Sequence, residues 1–348
     1  MSKNVYLQLS ERSKQILKGV IEAYLETGNP VGSETISKNI SVNMSSSSIR
    51  SILASLQKEG LLFAPHISAG RLPTDKGMRF FVDGLLEFGR LTKNEQENIK
   101  NRCKAKGSTF EEVLNEASKA ISGLSNCAGI VVAPKFKNKI KHVDFVKLSE
   151  KKIMSIIASE NGMVENRILD SKNSYTESTL RSVSNYLNTK FVGKTIDEIK
   201  TIINKEIKSS KSQLDSISKK LVKEGIIEIA PNSESPYIFL HGQSTLLGKE
   251  LISKDLDQIR NLFDDIENKK SFLNIIENTS KGQGVQIFIG SQNFLFKHSG
   301  LSMVMAPYKN KEQKIIGAIG VVGSMRLNYA KIVPLVDYTS KVVGRILS

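Results

Sequence analysis

Apolar residues recur at steps of three and four at Ile16, Leu17, Val20, Ile21, Tyr24 and Leu25, a spacing that gathers them on one stripe of a helix. Ser10 stands where an N-cap is needed, and Gly28 and Pro30 stop the helix. A short second helix fits Ser33 to Asn39, with Ser33 as its cap and Ile36 and Ile40 facing inward, before the polar turn Ser41-Val42-Asn43. Ser45 opens a third helix, in which Ile49, Ile52, Leu53 and Leu56 repeat as one face and Gly60 marks the end. Leu61 to Ala64 then reads as a strand, Ser68-Ala69-Gly70 as a turn, and Arg71-Leu72 as a return strand stopped by Pro73. Helix, turn, helix and wing in that order predict a winged helix-turn-helix. Thr74 caps one more helix, with Met78, Phe81, Val82 and Leu85 on its buried face.

The period changes further along. After the polar stretch from Leu91 to Gly107, which reads as a linker, short apolar runs at 129–133, 142–148, 153–158 and 163–169 alternate with Gly, Asn and Lys clusters and predict antiparallel strands. Helical periodicity returns at Leu180, Val183, Tyr186 and Leu187 and continues on a long Lys-rich helix from Ile196 to Leu221. Strands resume at 285–289, 301–306 and 315–322, and a last helix covers 329–347. A sheet interrupted by a helical block predicts an inserted domain, so the fold class is α+β.

The third helix carries the candidate chemistry. Ser47, Arg50, Ser51, Ala54 and Lys58 lie opposite its apolar stripe, on the side that would face a DNA major groove. The small hydroxyls Ser45, Ser46 and Ser47 allow close backbone approach at the helix N-terminus, whose N–H groups favour phosphate. Arg50 is long enough to reach a guanine edge. Ser33, at the start of the second helix, His66 and Arg71, at the wing, complete the expected DNA-binding set, the last two near phosphate or the minor groove.

Net charge adds less than its size suggests. The chain has 348 residues and a formal charge of +15, but residues 1–90 hold 11 basic and 8 acidic side chains, so most of the excess lies elsewhere. DNA binding is therefore inferred from arrangement rather than from bulk charge. No apolar run is long enough to span a bilayer, and the opening residues lack the apolar core of a signal peptide, so a cytoplasmic chain with no membrane partner is expected. Cys103 and Cys127 form neither a disulfide framework nor a zinc pattern, and the four histidines are scattered. There is no HExxH, P-loop or GxSxG motif. No catalytic residue, metal or cofactor is expected.

Several stretches resemble a known family. They are Gly32-Ser33, Ser45 to Leu56, Pro65-His66-Ile67-Ser68-Ala69-Gly70-Arg71-Leu72-Pro73-Thr74-Asp75-Lys76-Gly77, Arg79 to Asp83, Gly162-Met163-Val164-Glu165-Asn166-Arg167, Ile289-Gly290, Gly317 to Gly323 and Tyr329 to Val336. Together they resemble the HrcA heat-inducible transcription repressors. The resemblance implies a GAF-like antiparallel sheet domain split by an inserted, mostly helical dimerisation domain, which would also carry strands at 226–229 and 237–240. It further implies a repressor of heat-shock chaperone operons that binds an inverted-repeat operator in double-stranded DNA, with the GroEL/GroES chaperonin maintaining its active form. A homodimer is also expected on physical grounds, because one small winged domain makes too few base contacts for genomic selectivity. The expected organisation is a winged helix-turn-helix at 1–90, a linker at 91–107, a GAF-like domain in two segments at 108–175 and 283–348, and the insertion at 176–282. The competing expectation is a metabolite-sensing winged-helix regulator with a small ligand in the GAF-like domain.

Overall fold

The computed structural model describes residues 9–39, 44–66, 69–104, 109–133, 139–160, 162–170, 174–195, 198–199, 201–203, 236–247, 284–290 and 301–347. The expected strand at 226–229 and most of the long Lys-rich helix lie outside them.

The N-terminal elements follow the periodicity closely. Helix α1, Glu11–Thr27, is capped by Ser10, whose Oγ accepts from the Ser13 N–H, and it buries Ile16, Leu17, Val20 and Ile21. It ends at Gly28, whose φ of 72° lies in the left-handed region that favours glycine and whose N–H donates to the Tyr24 carbonyl. Helix α2, Ser33–Asn39, leads to α3, Ser46–Lys58, capped by Ser45 and anchored by Ile49, Leu53 and Leu56. Strands β1, Leu62–Phe63, and β2, Leu72–Pro73, pair antiparallel. Helix α4, Asp75–Gly84, is capped by Thr74 and buries Met78, Phe80, Phe81 and Val82.

The polar stretch expected as a linker is structured. Lys93–Cys103 forms helix α5, closed at its start by a reciprocal capping box in which Thr92 and Glu95 satisfy each other's backbone. Only Ile99 and Cys103 are buried on it, too sparse a signal to show as periodicity. Helix α6, Phe110–Ser125, has a second capping box, Thr109 with Glu112, and turns into the sheet through Asn126, at φ 54°. Gly123 is exposed within α6, and a Cβ there would meet no atom of the described residues within 4 Å. Gly123→Ala should therefore raise stability by about 0.5 to 1 kcal/mol, read as a later denaturant midpoint at unchanged slope.

Two antiparallel sheets follow. The larger one has the order β7-β3-β10-β9-β8, from Tyr237–His241, Ala128–Ala133, Ile315–Ser324, Leu301–Lys309 and Gln286–Ile289. Helix α6 and the last helix, α8 (Tyr329–Ile346), pack on it, and both join the core shared with α1, α3 and α4. The smaller sheet, β4-β5-β6, comprises Ile140–Ser149, Lys152–Ser159 and Val164–Asp170. It packs on α7, Glu177–Phe191, around a separate core of Val143, Phe145, Ile153, Ile157, Leu180, Val183 and Leu187. This revises the expected partition of the strands. The runs at 142–148, 153–158 and 163–169 belong with the helical block rather than with β3, whereas Tyr237–His241, expected inside the insertion, pairs with β3 in the larger sheet. Periodicity identified these strands but carried no information about which sheet each would join.

Candidate nucleic-acid interface

Helix α3 presents an exposed face that is polar apart from Ala54. Ser45, Ser46, Ser47, Ser48, Arg50, Ser51, Ala54 and Lys58 are exposed, while Ile49, Leu53 and Leu56 are buried behind them. The Ser45 Oγ accepts the Ser48 N–H at 3.2 Å and lies 2.8 Å from the Ser47 Oγ and 2.9 Å from the Ser48 Oγ. A cluster of hydroxyls thus surrounds the positive end of the helix. Lys58 stands at the other end, in the last turn.

Ser33 was expected as a cap. It is instead the first residue of α2, almost buried, and its Oγ accepts from the Arg50 Nε at 3.3 Å. The structure thus brings Ser33 and Arg50 together, and a hydroxyl on one helix restrains the guanidinium on the next. Ser33→Ala should weaken DNA binding by roughly two- to fivefold, less than loss of Arg50 itself, because it removes orientation and not the contact. Titration of one labelled duplex with both single variants and the double variant measures this, and full additivity of the two losses would refute the coupling.

The β1–β2 hairpin, the expected wing, is held more firmly than its sequence implied. Val31 and Arg71 exchange backbone hydrogen bonds at 2.9 and 2.8 Å, which adds the α1–α2 connection beside the hairpin. The Arg71 Nη1 donates to the Ala69 carbonyl at 3.0 Å, and its Nε is buried with no hydrogen-bond partner among the described residues. Arg71 therefore braces the wing, with much of its guanidinium turned onto the protein. His66 is exposed, and its carbonyl accepts the Ala69 N–H.

Two glycines of the motif owe their place to tertiary contacts that the sequence does not show. A Cβ on Gly70 would stand 2.5 Å from the Val31 carbonyl carbon, and one on Gly77 would stand 2.0 Å from the Leu61 carbonyl oxygen. Neither has the positive φ that usually explains a glycine; both are required by close backbone approach. Thr74 completes the joint, its Oγ1 donating to the Gly60 carbonyl at 2.7 Å, while the Lys76 Nζ donates to the Glu59 carbonyl at 2.7 Å. The segment from Ala69 to Gly77 is thus largely architectural. It seats the wing and α4 on the end of α3.

A family model described as the HrcA protein C terminal domain matches residues 111–333. A heat-inducible transcription repressor HrcA of Chelativorans is 41% identical over 343 residues, covering 97% of this chain and 96% of that protein. The HrcA of Caulobacter vibrioides is 42% identical over 341 residues, covering 98% and 95%. The chain belongs to the HrcA family. It is a heat-inducible transcription repressor, and DNA is its partner. A crystal structure at 2.2 Å resolution, described only as that of a hypothetical protein, shares the fold of this HrcA chain with a TM-score of 0.66 at 20% identity, covering 98% of this chain and 99% of that one.

A second concave region lies away from α3. Gly162 to Arg167, which includes most of β6, lines a cavity of about 590 Å³ together with Thr109, Phe110, Glu111 and Tyr237. Burial, reinforced by the carboxylates of Glu165 and Glu111, pushes the Tyr237 phenol up to about 12, so it stays a neutral hydrogen-bonding group. Among the described residues, no cluster of His, Cys, Asp or Glu side chains is placed to hold a metal ion, and no helix is long and apolar enough to cross a membrane.

Proposed function

We propose that this HrcA family member is a cytoplasmic repressor of heat-shock chaperone operons that binds an inverted-repeat operator as a homodimer. In this reading, residues 1–90 act as a winged helix-turn-helix with α3 in the major groove, and the larger sheet corresponds to a GAF-like domain. The observation that carries the reading is the open polar face of α3, with Arg50 already steadied by Ser33. Ser45, Ser46, Ser47, Arg50, Ser51 and Lys58 would approach bases and phosphates from α3, with Ser33 behind them and His66 and Arg71 beside them at the wing.

The GroEL/GroES chaperonin would keep the repressor active. Stress fills the chaperonin with misfolded clients, unassisted repressor loses its folded dimer, and transcription rises. The test has two parts. Footprinting of the full chain on the promoter of the same organism's chaperonin operon should protect an inverted repeat. A gel-shift titration of heat-treated protein should then recover active fraction when chaperonin and nucleotide are added. No protection on that promoter would remove the operon assignment, and no recovery would remove the chaperonin link.

A further inference from the structure

Among the described residues, three contacts fasten the N-terminal unit to the larger sheet and to the turn and helix that follow β10. On α4, the Asp83 carboxylate holds the Arg79 Nε at 2.7 Å, and the Arg79 Nη1 donates to the Ile287 carbonyl at 2.5 Å. Ile287 lies on β8, one of the two outer strands, so the guanidinium engages the carbonyl of an edge strand. Arg326, in the turn between β10 and α8, occupies the space above Gly28, with its Nη1 only 1.6 Å from where a Cβ would stand. That puts a cation against the negative end of the α1 dipole. The third fastener is backbone, the Gly89 N–H donating to the Ala330 carbonyl at 3.0 Å.

Side chains between these points are fitted with equal closeness. The Asp75 carboxylate oxygens stand 2.5 Å from where a Cβ on Gly290 would be. Tyr329, buried at the start of α8, donates to the Ser302 Oγ at 2.8 Å and lies within electrostatic reach of Tyr24 and Asp75. The fasteners come from α1, from α4 and from the chain that follows it. Three separate attachments from different segments restrict how the N-terminal unit can turn against the rest of the chain. All three avoid the exposed face of α3, so the joint orients the reading surface without covering it.

We propose that Arg79 and Arg326 are positioning residues for operator recognition. They fix the direction of α3 relative to the rest of the chain, and therefore relative to α3 of a second copy, which makes the repressor selective for the distance between half-sites. The proposal rests on the dimeric reading above. One base pair of added spacing moves a half-site about 3.4 Å along the duplex and about 35° around it. A stiff joint cannot follow that change, whereas a loose one can.

The test uses the full chain, wild type and the double variant Arg79→Met/Arg326→Met, on duplexes that wild type selects from a randomised pool. Each duplex is remade with one or two base pairs inserted or removed between its half-sites, and a single half-site is included. Wild type should prefer the parent spacing by about tenfold or more. The double variant should show a preference of no more than about two- to threefold while binding the single half-site as wild type does. A wild type that discriminates and a double variant that discriminates equally would overturn the role of the two arginines alone. A wild type indifferent to spacing would overturn the dimeric reading and this proposal with it. Neither arginine is a core residue, and a cooperative melt checks folding. Should the double variant lose that melt, the single variants, each keeping two of the three fasteners, give the same comparison.

Discussion

Gly77→Ala is expected to destabilise the N-terminal unit by about 3 kcal/mol, the upper end of what overpacking a tight site costs. The added methyl would sit 2.0 Å from the Leu61 carbonyl oxygen and 3.0 Å from its carbon. Neither atom has room to retreat. The Leu61 carbonyl accepts from the Thr74 N–H at 3.1 Å and from the Thr74 Oγ1 at 3.2 Å, and the Leu61 side chain is fully buried. Relief would require separating α4 from β1, which would undo the Thr74 cap and loosen the wing. Urea unfolding should show a midpoint far below wild type, and operator binding should fall with it. A midpoint within error of wild type would mean that the β1–α4 joint adjusts freely, contrary to the geometry. Gly123→Ala, the same substitution in open space, is the internal control.

Arg50→Ala has the opposite profile, with a large effect on binding and little on folding. The side chain is exposed, and its hydrogen bond to the Ser33 Oγ among the described residues is a long one. If Arg50 reads a base, its loss should cost about 1 to 3 kcal/mol of specific affinity, or roughly five- to a hundred-and-fiftyfold, with non-specific binding barely changed. Lys58→Ala, if Lys58 meets phosphate, should instead weaken all sequences alike and reduce the salt slope by about 1. Fluorescence anisotropy on specific and scrambled duplexes over a salt series separates the two. Wild-type discrimination in Arg50→Ala would remove Arg50 from the reading face.

The residues that periodicity handled well were those whose packing is local. Ile16 to Leu25 and Ile49 to Leu56 meet neighbours within the same fifty residues, so spacing alone set both the helices and their buried faces. Helix α5 was missed because its stability comes from a capping box and two buried residues rather than from an apolar stripe. The strands were legible one by one, yet their allocation to sheets was not. The alternation that makes Ile153 and Ile157 point inward is the same whichever sheet receives them, and partner choice depends on contacts more than a hundred residues distant, such as that between Ser118 and Phe239. At the candidate site, the outward face of α3 was legible, but the hydroxyl behind Arg50 was not, because a serine at a helix start reads as a cap until its neighbour across the turn is known. Gly70 and Gly77 were visible as letters in a specific motif. Their reason, carbonyls pressing from Val31 and Leu61, is tertiary.

The placing of β3 at the second position of its sheet has a consequence for synthesis. Every residue of Ala128–Ala133 is buried, yet its neighbours are β7 and β10, and the Tyr308 hydroxyl that donates to the Val132 carbonyl lies 176 residues downstream. At about 5 to 20 residues per second, a ribosome needs on the order of 10 to 35 s to cover that distance. β7 follows β3 by about a hundred residues and covers one edge, but the other edge waits for β10, which is made later still. Each newly made copy is therefore expected to pass through an interval in which an apolar strand lacks a neighbour, and the length of that interval is set by translation speed as much as by the stability of the finished fold.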